Sequence, residues 1–243
     1  MPPRVLVLVP TYNERENLPV IAAQLLALPD VRVLVLDDGS PDGTGQVADT
    51  LATQSGGRLA VLHRTGTRGL GRSYLDGMRA ALDTDATVVI QMDADLSHDP
   101  KYVPDLVAAA RSHDIVIGSR YLNGVSVVNW PLRRLMLSAF ANWYVRTITG
   151  MDVRDCTAGF RCWRREALAR LPFAHITSDG YAFQVETLFL ALEDGATVTE
   201  VPIIFVERRQ GASKISGPVI RESVFMPWRL ALRRLAGRGR PTG

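Results

Sequence analysis

Lysine is nearly missing from this chain. Of 28 basic residues only Lys101 and Lys214 are lysines, which leaves 26 arginines, a bias of codon composition rather than the mark of a ligand. Cysteine is as scarce. Cys156 and Cys162 are spaced too widely for a C-x-x-C metal site and have no His/Cys cluster around them, so they read as reduced cytosolic thiols. No uncharged apolar run reaches the ~18 residues of a membrane-spanning helix. The longest candidates, NLPVIAAQLLALP and YLNGVSVVNWPL, are shorter and carry proline. The opening MPPRVLVLVP enters a strand pattern without a small-residue cleavage site, so no signal peptide is expected and the chain reads as soluble or peripheral. Glycine is missing from VPTYNERENL, where a dinucleotide dehydrogenase needs G-x-G-x-x-G; the later RGLGRSYLDG lacks the third glycine and follows the wrong strand.

What is present describes a globular protein. The 243 residues are 47% hydrophobic and 22% charged, ample for a core. The first half alternates apolar, β-branched runs at 4–9, 32–36, 58–62, 87–92 and 114–117 with helical patterns in LPVIAAQLLALP, TGQVADTLAT, YLDGMRAALDT and PKYVPDLVAAARSH. Asp99-Pro100 reads as a helix start. Such alternation predicts a mostly parallel sheet covered on both faces. After Gly124 the pattern changes to a helical stretch at 130–149 carrying Arg133, Arg134 and Arg146, a short run GFRCW, a helix at 181–193, and two short strands in TVTEVPIIFVE. A charged loop RRQGASKISG and an arginine-rich helix at 218–240 follow. No repeat or linker interrupts the chain, and one domain is expected.

Ligands of open α/β sheets bind beyond the carboxyl ends of the strands. The unusual polar segments lie at those ends: PTYNE, DDGSPDG, DADLS and GSRYLNG. Asp93 and Asp95, two residues apart, sit on one side of an extended chain at roughly 7 Å, and such a pair repels unless a cation lies between. Magnesium takes one or two protein carboxylates and leaves its other positions to water and phosphate oxygens. The bland alternative is a solvated turn, and Gly39-Ser40-Pro41-Asp42-Gly43 beside Asp37 and Asp38 is also a turn by composition. Position at the end of a central strand favours the metal reading for the first pair. His63, His98, His113 and His175 form no catalytic constellation, and His98, nearest the rim, reads as a turn or capping residue.

Seven landmarks then occur in order: PTYNE, DDGSPDGT, RGLG, QMDADLSHDP, GSRY, CTAGFR and ERRQGASK. The chain resembles, over nearly its full length, the inverting family 2 glycosyltransferases, and within them the polyprenol-phosphate (dolichol-phosphate) mannose synthases of the soluble type without transmembrane helices. The resemblance implies a GT-A-type αβα sandwich around a mostly parallel sheet with a C-terminal amphipathic helical extension. It divides a single domain at 1–243 into a nucleotide-sugar-binding half (1–120), an acceptor-binding half (121–217) and a basic amphipathic segment (218–243). The implied reaction moves mannose from GDP-mannose to a polyprenyl monophosphate with inversion, giving polyprenyl phosphate β-mannose and GDP. Pro10, Tyr12, Glu14, Asp37 and Asp38 would hold guanosine, and Asp93 and Asp95 would hold Mg2+ or Mn2+ against the diphosphate, Asp95 as the main ligand. Relatives can carry a glutamine ligand where this chain has Ser97, a poorer one. Arg120, Arg133 or Arg134, Ser138, Arg208 and Lys214 match the positions that bind the acceptor phosphate, with Arg120, Arg208 and Lys214 also stabilising the leaving diphosphate.

The chemistry agrees independently. A phosphate monoester has a second pKa near ~6 and is an anionic nucleophile at neutral pH, so no general base is needed. Positive charge is. Lys214, in the glycine-flanked GASKISG, stands out in a chain so poor in lysine, and the loop from Arg208 to Lys214 would close on phosphate and exclude water. WPLRRLMLSAFANWYV and SGPVIRESVFMPWRLALRRLAGRGR mix an apolar face with arginine and tryptophan, as interfacial helices do. They are expected to pack on the sheet, to meet the cytoplasmic face of a membrane or a membrane-embedded partner protein, or to do both. Three rivals remain: the same fold using UDP-glucose or UDP-N-acetylglucosamine, a noncatalytic nucleotide-binding membrane-associated protein, and a nucleic-acid binder suggested by a pI of about 9.1. The last lacks any binding motif, and no nucleic acid is expected as a partner.

Overall fold

Alternation within the continuous apolar runs builds two cores at once. In β1 (Val5–Thr11) the valines Val5, Val7 and Val9 enter one core while Leu6 and Leu8 enter the other. β2 (Val31–Asp37) repeats the division, with Val31, Val33 and Val35 on one face and Leu34 and Leu36 on the opposite one. A strand buried on both sides needs apolar residues on both faces, which is why these runs are nearly continuous, Arg32 at the start of β2 being the exception. The computed structural model describes residues 3–207 and 217–238. β3 (Leu59–His63), β4 (Val88–Gln91) and β5 (Ile115–Ser119) complete the five expected strands.

Among the described residues the sheet has seven strands. Running from one edge, β3, β2, β1 and β4 are followed by β7 (Arg161–Arg164), β5 and β8 (Val198–Pro202). All neighbouring pairs are parallel except those of β7, which is antiparallel to both β4 and β5. The run GFRCW thus inserts into the middle of the sheet. A separate parallel pair, β6 (Val127–Val128) with β9 (Phe205–Val206), stands above the rim.

Helices α1 (Asn17–Leu26), α2 (Thr44–Gln54) and α4 (Val103–Ala109) cover the valine face, through residues such as Leu18, Ile21, Ala48 and Leu106. On the leucine face lie α3 (Leu70–Leu82), α7 (Gly180–Glu193) and α8 (Gly217–Arg238), through Tyr74, Met78, Phe183, Leu188, Met226 and Leu230. Asp99 starts the segment before α4 as expected, its carboxylate accepting from the Lys101 N–H at 3.0 Å.

Two departures from the sequence reading have local causes. α3 begins at Leu70, four residues before Tyr74. Gly69 makes that start possible: a Cβ there would lie 1.8 Å from Asp179 Oδ2, and Asp179 instead accepts from the Gly71 N–H at 2.5 Å. The stretch at 130–149 forms α5 (Leu132–Thr149), but its buried residues are Asn142, Val145 and Thr149, while Leu132, Met136, Leu137, Phe140 and Trp143 point outward. α6 (Arg165–Ala169) is a short connector.

Candidate active site

The carboxyl ends of β1, β2, β4 and β5 converge on one rim. At the β1 and β2 ends, Thr11 is paired with Asp37 in register, and the Thr11 carbonyl accepts from the Asp38 N–H at 3.0 Å. Asp37 is buried and accepts from the Ser40 hydroxyl at 2.6 Å. Asp38, also buried, accepts from the Gly69 N–H at 2.8 Å and pairs with Arg64. Arg64 in turn reaches Asp76 at 2.8 Å and Ser73 at 3.1 Å, so Asp38 anchors the RGLG loop to the rim. Tyr12 accepts from Arg68 Nη1 at 3.0 Å and carries that guanidinium 4.9 Å from its ring centre. The Glu14 N–H donates to Thr44 Oγ1 at 3.0 Å, and the Glu14 carboxylate accepts from Asn17 at 2.8 Å. Pro10 is buried within β1. Among the described residues one hydroxyl here has no partner, Thr11 Oγ1, in a residue only 2% exposed.

At the end of β4 the chain turns sharply. Leu96 adopts φ +63°, a left-handed backbone that a residue with a Cβ takes at a cost of ~1–3 kcal/mol. The turn is held by Ser97, whose N–H and hydroxyl both donate to Asp95 Oδ1, at 3.1 and 2.5 Å. Ser97 thus orients Asp95 from behind. Asp93 accepts from the Tyr74 hydroxyl at 3.1 Å. Burial and then the Asp93 charge push Tyr74 well above the usual phenol range, which keeps it a donor. The Asp93 N–H donates to Nδ1 of His98, a ring stacked on Phe160 at 5.0 Å and fully enclosed. Burial lowers the His98 pKa, so the ring is neutral and serves the turn. Gly159 leaves a notch beneath Asp93: a Cβ there would sit 3.6 Å from Asp93 Oδ2 and 3.8 Å from Gln184 Nε2.

Behind β5, Arg120 makes a buried bidentate pair with Asp155, through Nε at 2.7 Å and Nη2 at 2.6 Å, and Nη2 also reaches Thr157 at 2.9 Å. The Arg120 N–H donates to the same carboxylate at 2.9 Å. A second buried arginine, Arg161, donates to three carbonyls, of Ala158, Gln184 and Cys156. Burial brings its pKa down to about 10, still cationic at neutral pH. It braces the loop that presents Thr157, Ala158 and Gly159 to the site. Both cysteines are enclosed; burial pushes the Cys156 thiol up to about 12 and raises that of Cys162 further, so neither is a nucleophile.

From the rim a cavity of about 470 Å³ runs between α5, α7 and α8. Asp93, Asp95, Arg120 and Arg134 line one end; Leu137, Phe140, Tyr144, Val185, Val224 and Met226 line the rest. Leu137, Phe140 and Val224 are also exposed on the outer surface, so the apolar end opens onto it. Of the two expected arginines of α5, Arg134 lines the cavity, pairing with Glu207 and lying over Trp130, while Arg133 is exposed to solvent. Ser138 lines the wall and accepts from the Tyr121 hydroxyl at 2.8 Å. Arg208 and Lys214 lie outside the described residues. Tyr74, Arg68, Asp155 and Arg161 were not singled out by sequence reasoning. For the last two, position within RDCTAGFR was the available signal.

Comparison with known proteins places this geometry. The chain is 48% identical over 224 residues to the polyprenol monophosphomannose synthase of Mycolicibacterium smegmatis, covering 91% of this chain and 84% of that protein. It is 45% identical over 233 residues to the undecaprenyl-phosphate mannosyltransferase of Micrococcus luteus, covering 95% and 96%. Among solved structures, glucosyl-3-phosphoglycerate synthase of Mycobacterium tuberculosis, in complex with Mn2+, UDP and phosphoglyceric acid, superposes with a TM-score of 0.70 at 19% identity, over 94% of this chain and 78% of that one. The same enzyme with Mg2+ and UDP gives 0.68 at 20% identity, over 94% and 79%. These likenesses establish the GT-A fold. The model of the family "Glycosyl transferase family 2" matches residues 6–172. The chain belongs to that family and is a glycosyltransferase.

Proposed function

We propose that this enzyme transfers mannose from GDP-mannose to a polyprenyl monophosphate, inverting the anomeric centre in a single displacement. One observation carries the acceptor assignment: the carboxylate pair Asp93 and Asp95 opens into an apolar cavity whose far end emerges among exposed apolar side chains. A phosphorylated sugar acid needs no such channel; a prenyl chain does. The likeness to a polyprenol monophosphomannose synthase and an undecaprenyl-phosphate mannosyltransferase supports the same acceptor class and mannose as the sugar.

The residues present fit a divalent cation. Asp93 and Asp95 are partly exposed at the cavity end, each oriented by a hydroxyl donor, Tyr74 or Ser97. A magnesium-like ion takes one or two protein carboxylates and completes its shell with water and phosphate oxygens. When bound there, the ion would neutralise the diphosphate and ease its departure. Pro10, Tyr12, Glu14, Asp37 and Asp38 frame the nucleoside end. Arg134, with Arg120, Ser138, Arg208 and Lys214, would hold the acceptor phosphate for attack on the face opposite the leaving GDP. Asp93 and Asp95 are the only carboxylates lining the cavity among the described residues, which suits a nucleophile that is already ionised.

No helix among the described residues is long and apolar enough to cross a membrane. The outward face of α5 and α8 instead carries Leu132, Phe140, Trp143, Phe225, Trp228 and Leu235, with Arg133 and Arg233 beside them. We read this face as the seat on the cytoplasmic leaflet, where each arginine adds about 1 kcal/mol near anionic lipid. The deciding assay offers GDP-mannose, UDP-glucose and UDP-N-acetylglucosamine with a short polyprenyl phosphate and Mg2+ or Mn2+, plus an EDTA control. Metal-dependent lipid phosphomannose from GDP-mannose alone is expected. Transfer from a UDP-sugar would replace the donor assignment.

A further inference from the structure

Trp130 stands where two cations of the cavity meet. The Arg134 guanidinium lies 4.2 Å over its ring centre, and the Arg120 guanidinium is 5.6 Å away. Phe205 packs edge-on against the same indole at 5.3 Å and 73°. The ring lines the cavity that contains Asp93 and Asp95. Its Nε1–H is buried and has no hydrogen-bond partner among the described residues, a costly state for a strong donor unless a ligand relieves it.

The two guanidiniums are held in different ways. Arg120 is clamped by the Asp155 carboxylate and Thr157, so its position does not depend on the ring. Arg134 is held by the Glu207 carboxylate on one side and by the indole face beneath it. A cation on an aromatic face keeps its N–H edges available for an anion in the guanidinium plane. Arginine and indole offer donors alone, and a ligand that satisfies both must be rich in acceptors.

We propose that Trp130 is a positioning residue for the acceptor phosphate, its ring fixing the Arg134 guanidinium and its Nε1–H serving as the neutral donor beside it. The proposal rests on the reading of the acceptor as a lipid phosphate monoester. Charge alone draws the phosphate in; the indole N–H, immobile in its packed ring, sets which oxygen faces the sugar.

Two variants separate the parts. W130F keeps an aromatic platform and loses the N–H; W130L loses both. Calorimetry with a short polyprenyl phosphate, and with the matching polyprenol, reads binding without turnover; steady-state kinetics with GDP-mannose and Mn2+ read the two KM values. W130F should weaken binding of the lipid phosphate about tenfold, and W130L about a hundredfold. The polyprenol affinity of W130F and the donor KM of both variants should stay within about twofold. Unchanged phosphate affinity in both variants overturns the proposal, as does an equal loss toward donor and acceptor with a fallen melting temperature, the mark of a merely structural ring. Wild-type protein that fails to bind the lipid phosphate removes the acceptor reading itself, and the role of Trp130 with it. Wild-type binding matched by that of W130F and W130L leaves the acceptor reading intact and removes only the ring.

Discussion

Around β1 and β2 the rim carboxylates end on partners from their own chain: Asp37 on Ser40, Asp38 on Gly69 and Arg64, Asp42 on Thr44. Around α5 and α8 large apolar side chains touch mainly one another and stay exposed among the described residues. Leu132 is 69% exposed and Trp143 60% on α5, whose inward positions include Asn142 and Thr149, and Phe225 is 65% exposed on α8. The first region is tied together by its own hydrogen bonds, with only the Thr11 hydroxyl left over among these described rim residues. The second exposes an apolar surface that folding alone does not cover, and such patches mark interaction sites. Asp93 and Asp95 lie where the two regions meet, at the cavity that runs on between α5, α7 and α8.

The largest effect tests the junction. Asp95→Asn should lower turnover on the order of a thousandfold while leaving the melting temperature within a degree or two. Thermal unfolding beside activity checks it, and a variant that keeps most activity would remove Asp95 from the metal site. Next comes the rigid frame. Gly69→Val puts a side chain where Asp179 caps α3, and a loss of about 3 kcal/mol in urea unfolding is expected. A neutral result would mean that the Gly69–Asp179 contact is dispensable.

The apolar face is tested by F140S/W143S, both side chains being exposed. Unfolding free energy should change little, whereas binding to vesicles containing anionic phospholipid should fall about tenfold. Unfolding that tracks the loss of vesicle binding would make the face a core instead. The smallest effect concerns His63, between Asp49 at 2.9 Å and Asp37 at 3.7 Å. The Asp49 hydrogen bond raises its pKa above the ordinary 6.5. Protonated His63 therefore stabilises the fold fully below pH 6.5, and that contribution is lost as pH rises through the higher folded value. H63N should flatten this small decline in a pH series of melting temperatures, an unchanged slope counting against the pair.

Much of the first region was legible because its signals are local. The apolar runs at 4–9 and 32–36 became β1 and β2 with their ends shifted by one or two residues. The polar motifs followed because strand ends define the rim. Asp38 was legible as a rim carboxylate but not as the anchor of Arg64 and Gly69, partners 26 and 31 residues away. The buried pair of Arg120 with Asp155 spans 35 residues, and the antiparallel insertion of β7 depends on the whole sheet. Neither leaves a periodic trace. α5 was legible as a helix, but not which of its faces turns inward. Hydrophobic periodicity assumes that water covers the outer face, and here Met136, Leu137 and Phe140 face outward while Asn142 and Thr149 face in.

If the apolar channel serves the acceptor, the most direct measurement is mannosyl transfer from GDP-mannose to two acceptors at equal concentration: a short polyprenyl phosphate and 3-phosphoglycerate. Transfer to the lipid phosphate, rising with prenyl chain length and absent with phosphoglycerate, is predicted. Equal transfer to both, or transfer to phosphoglycerate alone, would contradict it.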